Sequence, residues 1–146
     1  MKQELIDYLD EFVKVFDSDY SVKQGEQFEA LLDEETIVVY GGVDESDFYF
    51  LENIYRFPGS EKLPLLHLFT WSFLHELGHF ETVHNMIDDT DDRFRLRCAT
   101  DSTRDNFEEY CIIHNEVIAN NWAREFVLEN IGLMKEFDRQ VRDLLY

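Results

Sequence analysis

The chain is poor in the residues that break a fold or staple it. It has 2 Pro and 6 Gly in 146 residues, which argues against long flexible linkers and leaves one domain, 1–146, as the expectation. Its two cysteines, Cys98 and Cys111, are too few for a disulfide scaffold and too far apart for a zinc-thiolate site, and are read as reduced, unpaired thiols. No apolar run approaches the roughly 20 residues that span a bilayer. The start, Met1-Lys2-Gln3-Glu4, runs into an amphipathic pattern and not a signal-peptide core, so a cytoplasmic protein without a membrane partner is expected. Positive charge is scarce as well. Thirteen Lys and Arg face 32 Asp and Glu, for a formal net charge of -19. Such a surface repels phosphate backbones and argues against direct nucleic-acid binding. It either favours a basic partner or serves only to keep the chain soluble.

What is abundant is apolar and aromatic: 45% hydrophobic residues, with 13 Phe, enough for a real core. Leu5, Ile6, Leu9, Phe12, Val13 and Phe16 recur at three- and four-residue spacing and predict a helix over 2–16. Residues 17–34 show no clear period. Thr36 to Tyr40 is β-branched and ends at Gly41-Gly42, which predicts a strand and turn. Asp47 to Tyr55 is aromatic-rich and predicts a second strand, closed by Pro58-Gly59-Ser60. The pattern of Leu65 to about His84 is helical and mostly apolar. Residues 85–106 read as a polar insertion with an acidic run, Asp88 to Asp92, and an alternating stretch at Arg93, Arg95 and Arg97 that suggests a short strand. Two further helices are expected, from Phe107 to about Glu129 and from Ile131 to Leu145. The fold class is therefore α+β, with helices on a small, mainly antiparallel sheet.

The chemistry concentrates in His75-Glu76-Leu77-Gly78-His79, an H-E-x-x-H motif inside a predicted helix. Residues four apart on a helix lie one above the other, so His75 and His79 aim two imidazoles at one point, as zinc ligation requires. Glu76 lies about 100° around from His75 and can reach a water beside the ion without ligating it. The bland alternative is a pair of core histidines. A catalytic zinc asks for a third protein ligand and an open position. Glu116, on the downstream helix, is the preferred candidate. Asn120 shares its face and is placed to orient a ligand imidazole as a hydrogen-bond partner, while Ala119 and Ala123 permit close helix approach. Glu109, seven before Glu116, is the runner-up ligand. His67, His84 and His114 are weaker candidates by register.

H-E-L-G-H followed by E-x-x-A-N-x-W-A at Glu116 to Ala123 resembles the ImmA/IrrE family of gluzincin-type metallopeptidases, common in bacteria, phages and mobile elements. The resemblance covers about Leu63 to Glu129. It implies a zincin-like fold, zinc on His75, His79 and Glu116, and Glu76 as the catalytic base. It further implies a protein substrate, such as a repressor-like DNA-binding regulator. The family often carries aspartate where this chain has Asn120, and asparagine raises histidine basicity less. The reaction expected is metal-assisted peptide hydrolysis, with Tyr110 one candidate donor to the oxyanion. The strand expected at Asp47 to Tyr55 is the candidate edge for an extended substrate. Two non-enzymatic classes stand beside it: a zincin-fold protein that sequesters a regulator without cutting it, and an acidic interaction protein whose zinc is structural.

Overall fold

A computed structural model describes the backbone of residues 1–42, 45–85 and 104–146, and their side chains apart from those of 45–49 and 104–113. The acidic run, the Arg93–Arg97 stretch and Cys98, and the side chains of Glu109, Tyr110 and Cys111, lie outside what is described. Helix α1, Gln3–Lys14, buries Leu5, Ile6, Leu9 and Val13 on one face, as their spacing dictates. Asp17 then accepts from the backbone N–H of Asp19 at 2.9 Å, the local turn that diverts the chain after the helix.

Three short strands follow: β1, Ser21–Gln24; β2, Glu29–Leu31; and β3, Thr36–Val39. Their order is β1-β3-β2. Strand β3 pairs parallel with β1, Val22 opposite Ile37, and antiparallel with β2, Ala30 opposite Ile37. The sheet is thus mixed, not mainly antiparallel. Its order follows from burial: all four residues of β3 are buried, so the most apolar strand takes the centre and the two more polar ones become edges.

The segment expected as a second strand is a helix, α2, Glu45–Tyr55. Aromatic content suggested β structure, but the burial follows a helical period. Ile54 is fully buried, Phe50, Leu51 and Tyr55 are partly buried, and Glu52 and Asn53 are exposed. Phe50 and Ile54 are one helical turn apart, as are Leu51 and Tyr55. Burial of one helix face outweighed β propensity, which is itself strongly context-dependent.

Helix α3, Leu68–Glu81, is three residues shorter at each end than its pattern suggested. His67 caps it: its Nδ1 accepts from the N–H of Phe69 at 3.0 Å. Thr82 closes it, its hydroxyl donating to the carbonyl of Gly78 at 2.7 Å. Helix α4, Arg104–Glu129, and helix α5, Ile131–Leu145, complete the described chain. The class is α+β, with five α-helices among the described residues, none of them long and apolar enough to cross a membrane.

Helix α3 lies at the centre. Trp71, Phe73, Leu74 and Leu77 are fully buried, and Phe73 meets Phe12 of α1 and Phe137 of α5, at ring separations of 6.0 and 5.9 Å. Asp138 of α5 anchors its N-terminus. One carboxylate oxygen accepts from the backbone N–H of His67 at 2.9 Å and from the Thr70 hydroxyl at 2.5 Å. The other accepts from Arg142 at 2.7 Å. A buried acid is thereby fully bonded and sits at the helix end that favours negative charge. Arg124 of α4 donates to the carbonyl of Asn53 at 3.3 Å, and its guanidinium stacks 4.1 Å from the ring centre of Phe57, which holds α2 against α4.

Candidate metal centre

The two helices that carry the motif residues meet where neither has a side chain in the way. A Cβ built on Gly78 would lie 2.7 Å from the carbonyl oxygen of Ala119 and 3.2 Å from its Cα. Glycine is therefore the residue that admits the α4 backbone, with the fully buried Ala119 and Ala123 on the facing side. Gly78 immediately precedes His79, and Ala119 lies three residues after Glu116, so this contact sets the spacing of the ligand candidates.

His75, His79 and Glu116 each offer one ligand atom, all within 4.8 Å of one another. The Nε2 atoms of the two histidines are 3.1 Å apart. The Glu116 carboxylate spans them, one oxygen 2.6 Å from Nε2 of His75 and the other 3.3 Å from Nε2 of His79. Donors of a tetrahedral zinc at about 2.0–2.1 Å would stand roughly 3.3 Å apart. Two of the three separations are already close to that value. The third, 2.6 Å, is a hydrogen-bond distance between nitrogen and carboxylate oxygen. Two imidazole nitrogens and one carboxylate form a donor set that suits zinc.

Asn120 fixes the tautomer. Its Oδ1 lies 2.6 Å from Nδ1 of His75. An amide oxygen only accepts, so Nδ1 carries a hydrogen and Nε2 points at the ligand cluster. Phe50 sets its edge against the same ring at 5.2 Å, so α2 supports His75 from a second side.

The electrostatics agree with a cation site. Burial pushes the His75 pKa down, but the hydrogen bond to Glu116 and the charges of Glu76 and Glu116 carry it above the usual 6.5. Acceptors at Asn120 and Glu116 thus favour the protonated ring over the neutral one relative to a free imidazole. Burial would raise the Glu116 pKa, yet hydrogen bonds from His75 and His79 hold it far below 4.5. The site already prefers a positive charge between these groups; a proton and a metal compete for one place.

Glu76 differs in kind. Burial raises its pKa above 4.5, the two histidines oppose this, and Glu116 and Glu29 reinforce it. It makes no hydrogen bond or ion pair among the described residues. With His79, Asn115 and Glu116 it lines an open cleft of about 340 Å³, whose other lining comes from β2 and its flanks: Phe28, Glu29, Ala30 and Leu32. The cleft therefore lies between the HExxH helix and an edge strand of the sheet.

The other histidines make their described contacts elsewhere. The ring of His67 is spent on the α3 cap and on the Tyr146 hydroxyl, 2.8 Å from its Nε2. His84 contacts the Asn85 side chain at 3.2 Å, and His114 faces the Asn85 carbonyl at 3.4 Å. Sequence reasoning missed the cleft wall. Phe28-Glu29-Ala30-Leu31-Leu32 alternates for only a few residues before three acids, too short a signal to separate from a loop. The small residue at position 78 was a readable signal, inside a motif whose other letters drew the attention.

No family model, no curated protein and no solved structure matches the chain.

Proposed function

We propose that the chain is a zinc-dependent peptidase of zincin-like architecture, cutting a protein or peptide substrate laid between β2 and α3. The observation that carries this reading is the convergence of ligand atoms from His75, His79 and Glu116 within 4.8 Å of one another, at a cleft that His79 and Glu116 line. Beside them stands Glu76, a carboxylate with no hydrogen-bond or ion-pair partner among the described residues. The motif resemblance to the ImmA/IrrE family supports it independently of the geometry. A repressor-like regulator as substrate rests on that resemblance alone.

Bound to these three residues, zinc would supply Lewis acidity toward a substrate carbonyl and make water acidic near neutral pH. The chain's own residues do the rest. Glu76 takes the proton of the attacking water and passes it to the leaving amine, a task helped by a proton affinity above that of an ordinary carboxylate. Asn120 holds His75 in the required tautomer. Strand β2 replaces the 47–55 segment as the edge available to an extended substrate, since among the described residues it is paired on one side only and lines the cleft. A structural zinc site needs no carboxylate of this kind at its rim, which favours catalysis over the two non-enzymatic readings.

The test is metal analysis joined to a cleavage assay on a degenerate peptide mixture read by mass spectrometry. About one zinc per chain, lost in His79→Ala, is expected. Glu76→Gln should retain the zinc and lose cleavage. A wild-type chain that takes up no zinc, or a Glu76→Gln variant that cuts as well as wild type, would end the proposal.

A further inference from the structure

The cleft beside the metal ligands is chemically lopsided. Its β2 wall offers the apolar surface of Phe28, Ala30 and Leu32, and one charge, Glu29. No Lys or Arg is among the described residues that line it. The described bases that form ion pairs form them elsewhere: Lys14 with Asp10, Lys23 with Glu34, Arg56 with Glu52, Arg139 with Glu136 and Asp143, and Arg142 with Asp138. Glu29 makes no ion pair or hydrogen bond among the described residues and is exposed on the edge strand.

Charge in the cleft can be counted. A divalent ion held by one carboxylate and two neutral imidazoles keeps one net positive charge, and the Glu76 carboxylate cancels it. Among the described residues Glu29 is then one negative charge in excess, at the exposed side of an open cleft that apolar residues also line. The chemical group that completes this wall has an aliphatic stem and a cationic head. Lysine and arginine are the two side chains with that form, and they habitually lay the stem on apolar surface while the head stays at the wet end.

We propose that Glu29 is a specificity-determining residue that selects a substrate with Lys or Arg at a fixed position beside the bond to be cut. The ammonium or guanidinium meets the exposed Glu29 carboxylate, and the stem lies along the cleft lining to which Ala30 and Leu32 also contribute. This rests on the peptidase reading for the word substrate, but the recognition itself requires only binding. Edge-strand pairing through β2 would hold the peptide backbone in register, so that one side chain in particular falls opposite Glu29.

The experiment uses the zinc-loaded full chain and peptide mixtures degenerate at all positions but one, which is fixed in turn as Lys, norleucine or Glu. In the cleavage arm, Lys should exceed norleucine by about tenfold in kcat/KM at one position, the size of a single well-placed charge pair. Glu29→Gln should collapse that ratio toward one, and Glu29→Lys should shift the preference to Glu. In the binding arm, the same mixtures are titrated into the Glu76→Gln chain with and without Glu29→Gln, read by fluorescence anisotropy. The same preference for Lys, lost with Glu29→Gln, is expected there. If wild type cuts nothing but the binding preference appears, the peptidase reading fails and the assignment of Glu29 stands. If binding or cleavage shows no fixed basic position, or one that Glu29→Gln leaves intact, the assignment of Glu29 is wrong.

Discussion

Replacing Gly78 with alanine tests whether the approach of α3 and α4 sets the metal geometry. The new methyl carbon would stand 2.7 Å from the Ala119 carbonyl oxygen, whereas ordinary contact begins near 3.4 Å. The obstacle is backbone, which cannot rotate aside, so α4 must retreat by roughly 0.7 Å, the difference of those two distances. Glu116 lies three residues, about 4.5 Å of helix, before Ala119 and would move with it. Zinc tolerates only about 0.2 Å in its ligand distances. We therefore expect zinc affinity to fall by about tenfold to a hundredfold, the range seen when ligands lose their positioning. Overpacking costs about 1–3 kcal/mol, and the helix preference of alanine over glycine returns about 1 kcal/mol, so fold stability should change little by comparison. Competition with a chromophoric chelator measures the first quantity and urea unfolding of the metal-free chain the second. Gly132 provides the control, since nothing lies within 4 Å of a Cβ built there. Gly132→Ala should leave zinc binding alone and stabilise by about 0.5–1 kcal/mol. A Gly78→Ala chain that binds zinc as tightly as wild type would refute the claim that this contact positions the ligands.

Three more outcomes can be checked in the same preparations. Asn120→Ala removes the acceptor that holds His75 and should weaken zinc binding about tenfold, while Asn120→Asp should tighten it; chelator competition on the three proteins decides. In the metal-free chain, a His75 pKa raised above 6.5 stabilises the fold below that pH, and the gain is lost as pH climbs through the folded value. A Glu116 pKa held below 4.5 stabilises above that pH, and the gain is lost as pH falls through the folded value. Their joint contribution is thus fullest between about pH 4.5 and 6.5, and the difference in melting temperature between wild type and Glu116→Gln should peak in that window. Asp138→Ala, which strands the N–H of His67 and the Thr70 hydroxyl in a buried setting, should cost about 2–4 kcal/mol by denaturant titration.

How far the sequence carried can be seen at particular residues. His75 with His79, and Glu116 with Asn120, were legible as pairs by helical spacing, because i, i+4 residues share a face whatever the rest of the chain does; the choice of Glu116 as third ligand rested on the Ala119-Asn120 context and the motif resemblance. The last expected helix, Ile131–Leu145, matched to the residue, since its apolar positions fall on one face. Two places did not read through. Phe48-Tyr49-Phe50-Leu51 is a run that either a strand or a helix accommodates. What decided it was where Phe50 and Ile54 had to go, against His75 and into the core. The sheet order escaped for a similar reason. That β3 lies between β1 and β2 depends on a pairing of Ser21 with Thr36 that nothing local in residues 17–34 announces.

Asp138 has a consequence for what could be cut out or borrowed. All the groups that would hold and use a metal sit between His75 and Asn120. The acid that anchors the first of their helices comes from 68 positions beyond Thr70. A fragment stopping at Glu129 would keep every ligand and lose the anchor that secures the start of their helix. The HExxH helix and its partner are therefore not a portable hairpin that could be grafted onto a new scaffold by copying their own residues. Any such graft would have to supply a substitute for that distant carboxylate.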